Sequence, residues 1–430
     1  MSESTSNSLV IQPNEKPKKK LIWMLLSFQH VFAMFGATIL VPNLVGLDPA
    51  LAIFCSGLGT LVYLACTKGK IPIYIGSSFA FISASAIAMQ ESGHGALAAG
   101  LVSVALVYIL ISVIVRFTGV GWLNKVLPPI VVGPMIIVIG LGLAGVAIDK
   151  ASLTADNFNL LHAGVAFFTL LVTALISIIG KGFFKIIPIL IGIIVGYCLS
   201  LAVGLVDTSV FANVTLFSMP EFQLPGVTYS FKWEYAFMFL PIAFVTIAEH
   251  IGDHSVMSTI CNKDFFKNPG LKFTILGDGL ATLVAGLIGG PANTTYGENS
   301  GVVAMTKVGS VYVIGLAAVF AMILAFLNPV AIFISSIPDP VMGGISIMLF
   351  GIIASNGIKV MIASNTDFSE SRNLVIAATM LVLGIGGATF HFTDSLTFAG
   401  MSVAAIAGIV LNLILPHEKK YDSKITTTEE

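Results

Sequence analysis

From Leu21 onward the chain is a succession of apolar runs, each about 20 residues long, the length a helix needs to cross a bilayer. Short polar stretches and clusters of Gly and Pro separate them. Read together, hydropathy and breakers predict spans near 21–45, 49–67, 72–90, 96–117, 126–148, 160–180 and 184–205. A second set follows near 236–259, 271–289, 291–308, 310–335, 340–357, 373–390 and 396–416. The third and tenth spans are short and interrupted. One contains Gly76-Ser77-Ser78-Phe79-Ala80-Phe81, the other Asn293-Thr294-Thr295-Tyr296-Gly297-Glu298-Asn299-Ser300. Because the apolar runs are continuous rather than alternating, an outer-membrane barrel is excluded. The expected fold is all-α and integral to the membrane, with fourteen transmembrane segments and with short extended pieces and half-helices in segments 3 and 10.

The two halves echo each other. Gln29-His30 corresponds to Glu249-His250, and Gly57, Leu58, Leu61 and Val62 recur as Gly279, Leu280, Leu283 and Val284. The two interrupted motifs align in the same order, as do Pro129, Gly133 and Gly140 with Pro340, Gly344 and Gly351. Seven spans is an odd number, so the second copy enters from the opposite side, and the prediction is a 7+7 inverted repeat of the kind that places a discontinuous helix from each half at one site.

Composition and charge agree with this reading. Hydrophobic residues make up 56% of the chain and charged residues only 10%, with a mean hydropathy of +0.96, far from the roughly 25% charge of soluble domains. With the N-terminus inside, only Lys150 and Lys232 of the 21 basic residues fall outside, as expected if cytoplasmic loops retain Lys and Arg. Lys16-Pro17-Lys18-Lys19-Lys20 has the look of a signal-peptide n-region, but the apolar stretch after it is too long for an h-region and reads as the first span. Cys55, Cys66, Cys198 and Cys261 share no metal-ligand or redox spacing and read as free thiols. A net charge of -1 points to no nucleic-acid partner. There is no nucleophile paired with a base, no metal spacing and no phosphate-binding Gly-Lys-Ser/Thr loop, so an enzyme is not expected.

A charge inside a membrane helix costs on the order of 3 kcal/mol, so buried acids call for a task or a partner. Glu249 and Asp253 are four apart and share one helical face, with His250 and His254 on the neighbouring stripe. Two like charges at that spacing repel, which suits them to carrying a proton. Glu249 is read as a substrate or proton site, Asp253 as a coupled second site; the plainer alternative makes Asp253 a partner of a hydroxyl or of His254. His250 and His30 are read as packed histidines, and Asp278 as a tie between helices.

Asn, Thr and Gly ahead of Glu298 are poor inside helices but good at their starts, so the chain is expected to arrive extended and begin a half-helix there. Its opening N–H groups and positive dipole end would suit an oxygen acceptor on a ligand, and Gly76-Ser77-Ser78 would do the same from the other side. Hydroxyls merely bridging a kink are the alternative. Phe79 and Tyr296 hold equivalent places and offer flat faces for stacking, and Gly297 permits close approach of backbone to ligand. Acids that accept, amides that donate and an aromatic wall together fit a flat, neutral, lactam-like ring.

These residues resemble the nucleobase/ascorbate transporters, also called the nucleobase:cation symporter-2 family, and within it the uracil branch. The resemblance runs from about Leu21 to His417. It rests on Gln29-His30 with Phe32 to Thr38, Gly69-Lys70-Ile71-Pro72 with Gly76 to Phe81, Ala248-Glu249-His250, and Asn293 to Asn299. It implies a core domain from 21–118 and 236–335 and a gate domain from 119–235 and 336–416, with cytoplasmic tails at 1–20 and 417–430. It further implies uptake of uracil driven by protons, with no cofactor beyond the proton gradient, in the inner or plasma membrane and as a homodimer. By position, Glu249 and Glu298 would contact the pyrimidine, Phe79 would stack on it, and amides near Ser78, Phe79, Tyr296 and Gly297 would meet its carbonyls, with Glu249, Asp253 and Glu298 coupling protons. Some relatives carry His where Asp253 stands. Alternatives are another nucleobase such as xanthine, or a passive channel for small solutes.

Overall fold

A computed structural model describes residues 9–212, 214–393 and 396–416, and helix dominates it. The Thr-rich tail at 417–430 lies outside the described residues. The chain opens with α1 (Lys20–Val45) and α2 (Pro49–Cys66), then a short strand, β1 (Ile75–Ser77), a 3-10 turn over Phe79–Phe81 and α3 (Ile82–Ser92). There follow α4 (His94–Thr118), α5 (Gly121–Val126), α6 (Pro129–Leu141), α7 (Ala144–Lys150), α8 (Leu160–Ile179) and α9 (Pro188–Ala202). After a long connection come α10 (Ala236–Cys261), α11 (Leu271–Leu287), β2 (Asn293–Thr295) and α12 (Gly297–Thr306). The chain closes with α13 (Val311–Leu324), α14 (Asn328–Ser335), α15 (Asp339–Ala363), α16 (Ser371–Ile385), β3 (Thr389–Thr393), β4 (Leu396–Ala399) and α17 (Met401–Ile414).

Polar side chains at the breaks explain why helices start there. Asp48 caps α2, its carboxylate accepting from the amides of Ala50 and Leu51 at 2.9 and 3.3 Å, with Pro49 in the first helical position. The same carboxylate accepts from Glu221 N at 2.8 Å and so ties down the long connection before α10. Asn159 caps α8 in the same way.

Among the described residues, eight helical stretches are long and apolar enough to cross a membrane, with Pro129–Asn157 (α6 and α7) and Phe266–Leu287 (α11 and the turn before it) each counted as one, and four shorter apolar helices, α9, α13, α16 and α17, accompany them. Their outward faces are apolar. On α4 the exposed Leu106, Leu110, Val113 and Phe117 recur every three or four residues, and on α8 Phe167, Leu171, Leu175 and Ile178 do the same. Stripes of that kind, unfavourable against water, are what a helix presents to lipid.

Inside the bundle, α4 packs along α11 and α10, α2 along α11 and α13, and α1 along α13. Elsewhere α15 packs along α6 and α8, α16 along α17, and α8 along α9. Between α2, α10 and α11, β1 and β2 cross as an antiparallel pair in the register Ile75 with Thr295, Gly76 with Thr294 and Ser77 with Asn293.

Several expected spans are trimmed. The run at 310–335 is broken between Leu324 and Asn328, where Pro329 takes the second position of a new helix, and 126–148 is divided at Gly142. The last span starts only at Met401. Before it lies an antiparallel strand pair, β3 with β4, rich in Thr and Phe, so the fold is mostly rather than wholly helical. Part of the expected N-terminal tail is also built into the fold, with Leu9, Pro13 and Pro17 buried.

Candidate functional site

Each interrupted segment arrives extended and begins a short helix, so the first amides of Phe79 and Gly297 have no carbonyl one turn earlier to accept from them. Both open at the strand crossing. Backbone bonds lock the crossing: Ser78 N donates to Ala292 O at 2.9 Å and Tyr296 N to Tyr74 O at 3.0 Å. Around it Ser77, Ser78 and Thr294 are buried, and their hydroxyl oxygens make no hydrogen bond within the described protein. Gly297, in contrast, is exposed, and Phe79 and Glu298 are half-buried, so an opening reaches the two helix starts.

The acids come to the same place from α10. Glu249 and Asp253 are half-buried on one face, and Asp253 accepts a short hydrogen bond from the Thr295 hydroxyl on β2. Glu249 lies within electrostatic reach of Asp253, Asp278 and Glu298. Donors at two helix starts thus face acceptors from α10 and α12. The edge of Phe79 meets Phe350 of α15, with centroids 6.1 Å apart and rings 78° from parallel, so α15 supports one wall of the opening.

Tyr296 sits at the crossing itself. Its ring packs on Gly76, where an added Cβ would lie only 2.4 Å from Cζ. Its hydroxyl donates to Ser77 O at 3.1 Å and accepts from Thr38 Oγ1 at 3.2 Å. With its amide committed to Tyr74 O, it is a strut bracing the crossing, and the amides left free there are those of the helix starts.

A layer of buried partners lies behind the acids. His250 Nδ1 is 3.0 Å from Asp278 Oδ2, which ties α10 to α11 as expected of Asp278. His254 donates from Nδ1 to His250 O at 2.6 Å, leaving Nε2 to accept from the Tyr63 hydroxyl at 2.5 Å. Asn299 donates from Nδ2 to His30 O and to His30 Nδ1, at 3.0 and 3.1 Å, fastening α12 to α1. Tyr63, Thr295 and Asn299 were not legible as partners in the sequence. Each pairs with a residue at least 42 positions away, and no local spacing marks such a pair. Two open clefts lie elsewhere, one of about 350 Å³ beside Asp48, Glu221 and Asn328, another of about 910 Å³ beside Lys125, Arg372 and Asn412.

Lipid-facing helices around two broken ones, whose free amides and nearby acids share one opening, define a multi-pass membrane transporter rather than an enzyme. The sequence model of the permease family Xan_ur_permease matches residues 21–393. The chain belongs to that permease family. It is 51% identical over 397 residues to the uracil permease of Bacillus caldolyticus, covering 92% of each chain. To the uracil permease of Bacillus subtilis (strain 168) it is 48% identical over 406 residues, 93% of each chain, and to that of Escherichia coli (strain K12) 43% identical over 395 residues, 90% of each. In fold it is similar to SLC26A9, with a TM-score of 0.67 at 12% identity, covering 93% of this chain and 66% of that one, so it spans about two thirds of that transporter's length. The transmembrane domain of the cyanobacterium bicarbonate transporter BicA gives a TM-score of 0.59 at 13% identity, covering 92% of this chain and 99% of that domain.

Proposed function

We propose that this permease takes up uracil across the inner or plasma membrane by symport with protons. The observation that carries the proposal is the meeting of Glu249, Glu298 and the free amides of Phe79 and Gly297 at one half-exposed opening. Uracil presents two ring N–H donors and two carbonyl acceptors on a flat ring, so the acids take its N–H groups, the helix-start amides its carbonyls, and Phe79 lies against its face. The names of the relatives, uracil permeases throughout the most similar set described above, support the same substrate.

Protons enter through Glu249, Asp253 and Glu298. Protonation of a half-buried carboxylate removes charge from the site, and where the two access states differ in their affinity for that proton, an ion gradient is converted to a substrate gradient. The eight long spans, the four shorter ones and the two interrupted segments support a count of fourteen; in this reading they form an inverted repeat with both termini cytoplasmic. In this reading the core (21–118 and 236–335) carries the site past a gate (119–235 and 336–416) that also joins two copies into a homodimer.

The test is uptake of labelled uracil at matched expression. Glu249→Gln is expected to abolish accumulation, and Asp253→Asn to move the pH at which uptake is half-maximal. Unchanged uptake in both removes these acids from the mechanism. Competition by a panel of bases decides between uracil and xanthine, and equilibration insensitive to a protonophore marks a passive channel instead.

A further inference from the structure

The N-terminal segment ahead of α1 is paired to the far end of α12. Val10 N donates to Lys307 O at 2.7 Å, Gly309 N to Ile11 O at 2.9 Å and Val311 N to Pro13 O at 3.0 Å, a short parallel pairing of Ile11 with Val308. The Ser310 hydroxyl donates to Glu15 O. The segment is anchored at both ends. Lys16 Nζ sits 4.1 Å over the Trp23 ring, and Trp23 Nε1 donates to Tyr312 O at 2.8 Å. Leu9, 8% exposed, enters a buried cluster with Tyr63 of α2, Ile73 and Ile75 at the entry to β1, Met257 of α10 and Val303 of α12. It fits because position 309 is glycine: a Cβ there would lie 2.7 Å from Leu9 Cδ1.

We infer that residues 9–15 are a clasp that fixes the end of α12 and thereby positions Glu298 and the Gly297 amide for the ligand. The physical reason is the shortness of α12. It has only ten residues, ends at Lys307 in a left-handed conformation, and is too short to be stable alone. Its first turn carries the ligand-facing groups and its last turn is held by the clasp, so a shift at one end is transmitted along a rigid rod to the other. Leu9 supplies the apolar anchor under both interrupted segments at once. It is a positioning residue, acting through α12 rather than touching the ligand.

The inference rests on the uracil reading for its kinetic test, and a second measurement makes it separable. In the full chain, Leu9→Asp breaks the anchor, Leu9→Ile preserves it, and Val10→Asp, at a side chain 76% exposed, is the control. If Leu9→Asp leaves the clasped form about a tenth populated, the apparent affinity for uracil falls about tenfold, since affinity scales with the competent fraction. The expected result is a KM raised about tenfold in Leu9→Asp with a smaller change in maximal rate, and wild-type values in the other two. In purified protein, trypsin is expected to cut after Lys307 in Leu9→Asp and to spare that bond in wild type, as read by the fragment beginning at Val308. A Leu9→Asp protein with KM within twofold of wild type and Lys307 still protected overturns the clasp. Should Leu9→Asp not accumulate in the membrane, Leu9→Ala is read instead, with a rise of about threefold expected and an unchanged KM refuting the inference. A wild-type protein that does not carry uracil refutes the substrate reading, and the trypsin result still judges the clasp.

Discussion

Replacing Gly76 by Ala perturbs the strand crossing at its tightest point. The new Cβ would lie 2.4 Å from Tyr296 Cζ, 2.5 Å from Cε2 and 2.8 Å from the hydroxyl. Carbon atoms in ordinary contact are about 3.5 to 4.0 Å apart, so β1 and the ring must separate by about 1 Å. The ring has little room to yield: Tyr296 is 3% exposed, its hydroxyl is held by Ser77 O and Thr38, and its amide by Tyr74 O. Overpacking of this kind costs about 1 to 3 kcal/mol. If the strain falls on the binding geometry, spreading the amides of Phe79 and Gly297, apparent affinity for uracil drops by about five- to 150-fold, at 1.4 kcal/mol for each factor of ten. The assay is initial uptake of labelled uracil over a concentration series, paired with the Tm of purified protein with and without uracil. Gly145→Ala serves as the control, because a Cβ there meets no atom within 4 Å. Wild-type uptake and Tm in Gly76→Ala would show that the two strands are not clamped by Tyr296 and would refute the reasoning.

Two further outcomes follow from individual hydrogen bonds. Asp48→Ala removes the cap of α2 and its tie to Glu221 N, so stability should fall by about 1 kcal/mol or slightly more, seen as a lower Tm with KM unchanged. Asp278→Leu strands His250 Nδ1 in a site that is 0% exposed, at a cost of about 1 to 3 kcal/mol, whereas Asp278→Asn keeps an acceptor and should retain most of the Tm; equal loss in both variants would mean that the contact with His250 is not what matters.

Much of the architecture was legible in the chain because its causes are local. A run of apolar residues is driven into lipid residue by residue, and Asp48, Pro49 and Asn159 set helix starts from within a few positions. The interrupted motifs at 76–81 and 293–300 were visible for the same reason: Ser, Thr, Asn and Gly weaken a helix wherever they cluster. The spacing of Glu249 and Asp253 placed both acids on one face. What the spacing could not supply was the partner across that face. Asp253 turned out to bond Thr295, His254 to bond Tyr63, and Asn299 to bond His30, pairs brought together only when distant helices pack.

Tertiary packing likewise decided what Tyr296 touches. The absence of a side chain at Gly76, opposite Thr294 in the register, is what lets its ring pack against β1. The pairing of β3 with β4 and the docking of Leu9 beneath α12 have the same origin, since a strand or an extended tail is stabilised by another segment that its own sequence does not name. The sequence alone therefore determined that the chain lives in the membrane, where its helices break and which acids lie within its spans. The three-dimensional fold decided which groups meet, because hydrogen bonds and side-chain contacts act over a few ångströms in space, whatever the separation along the chain.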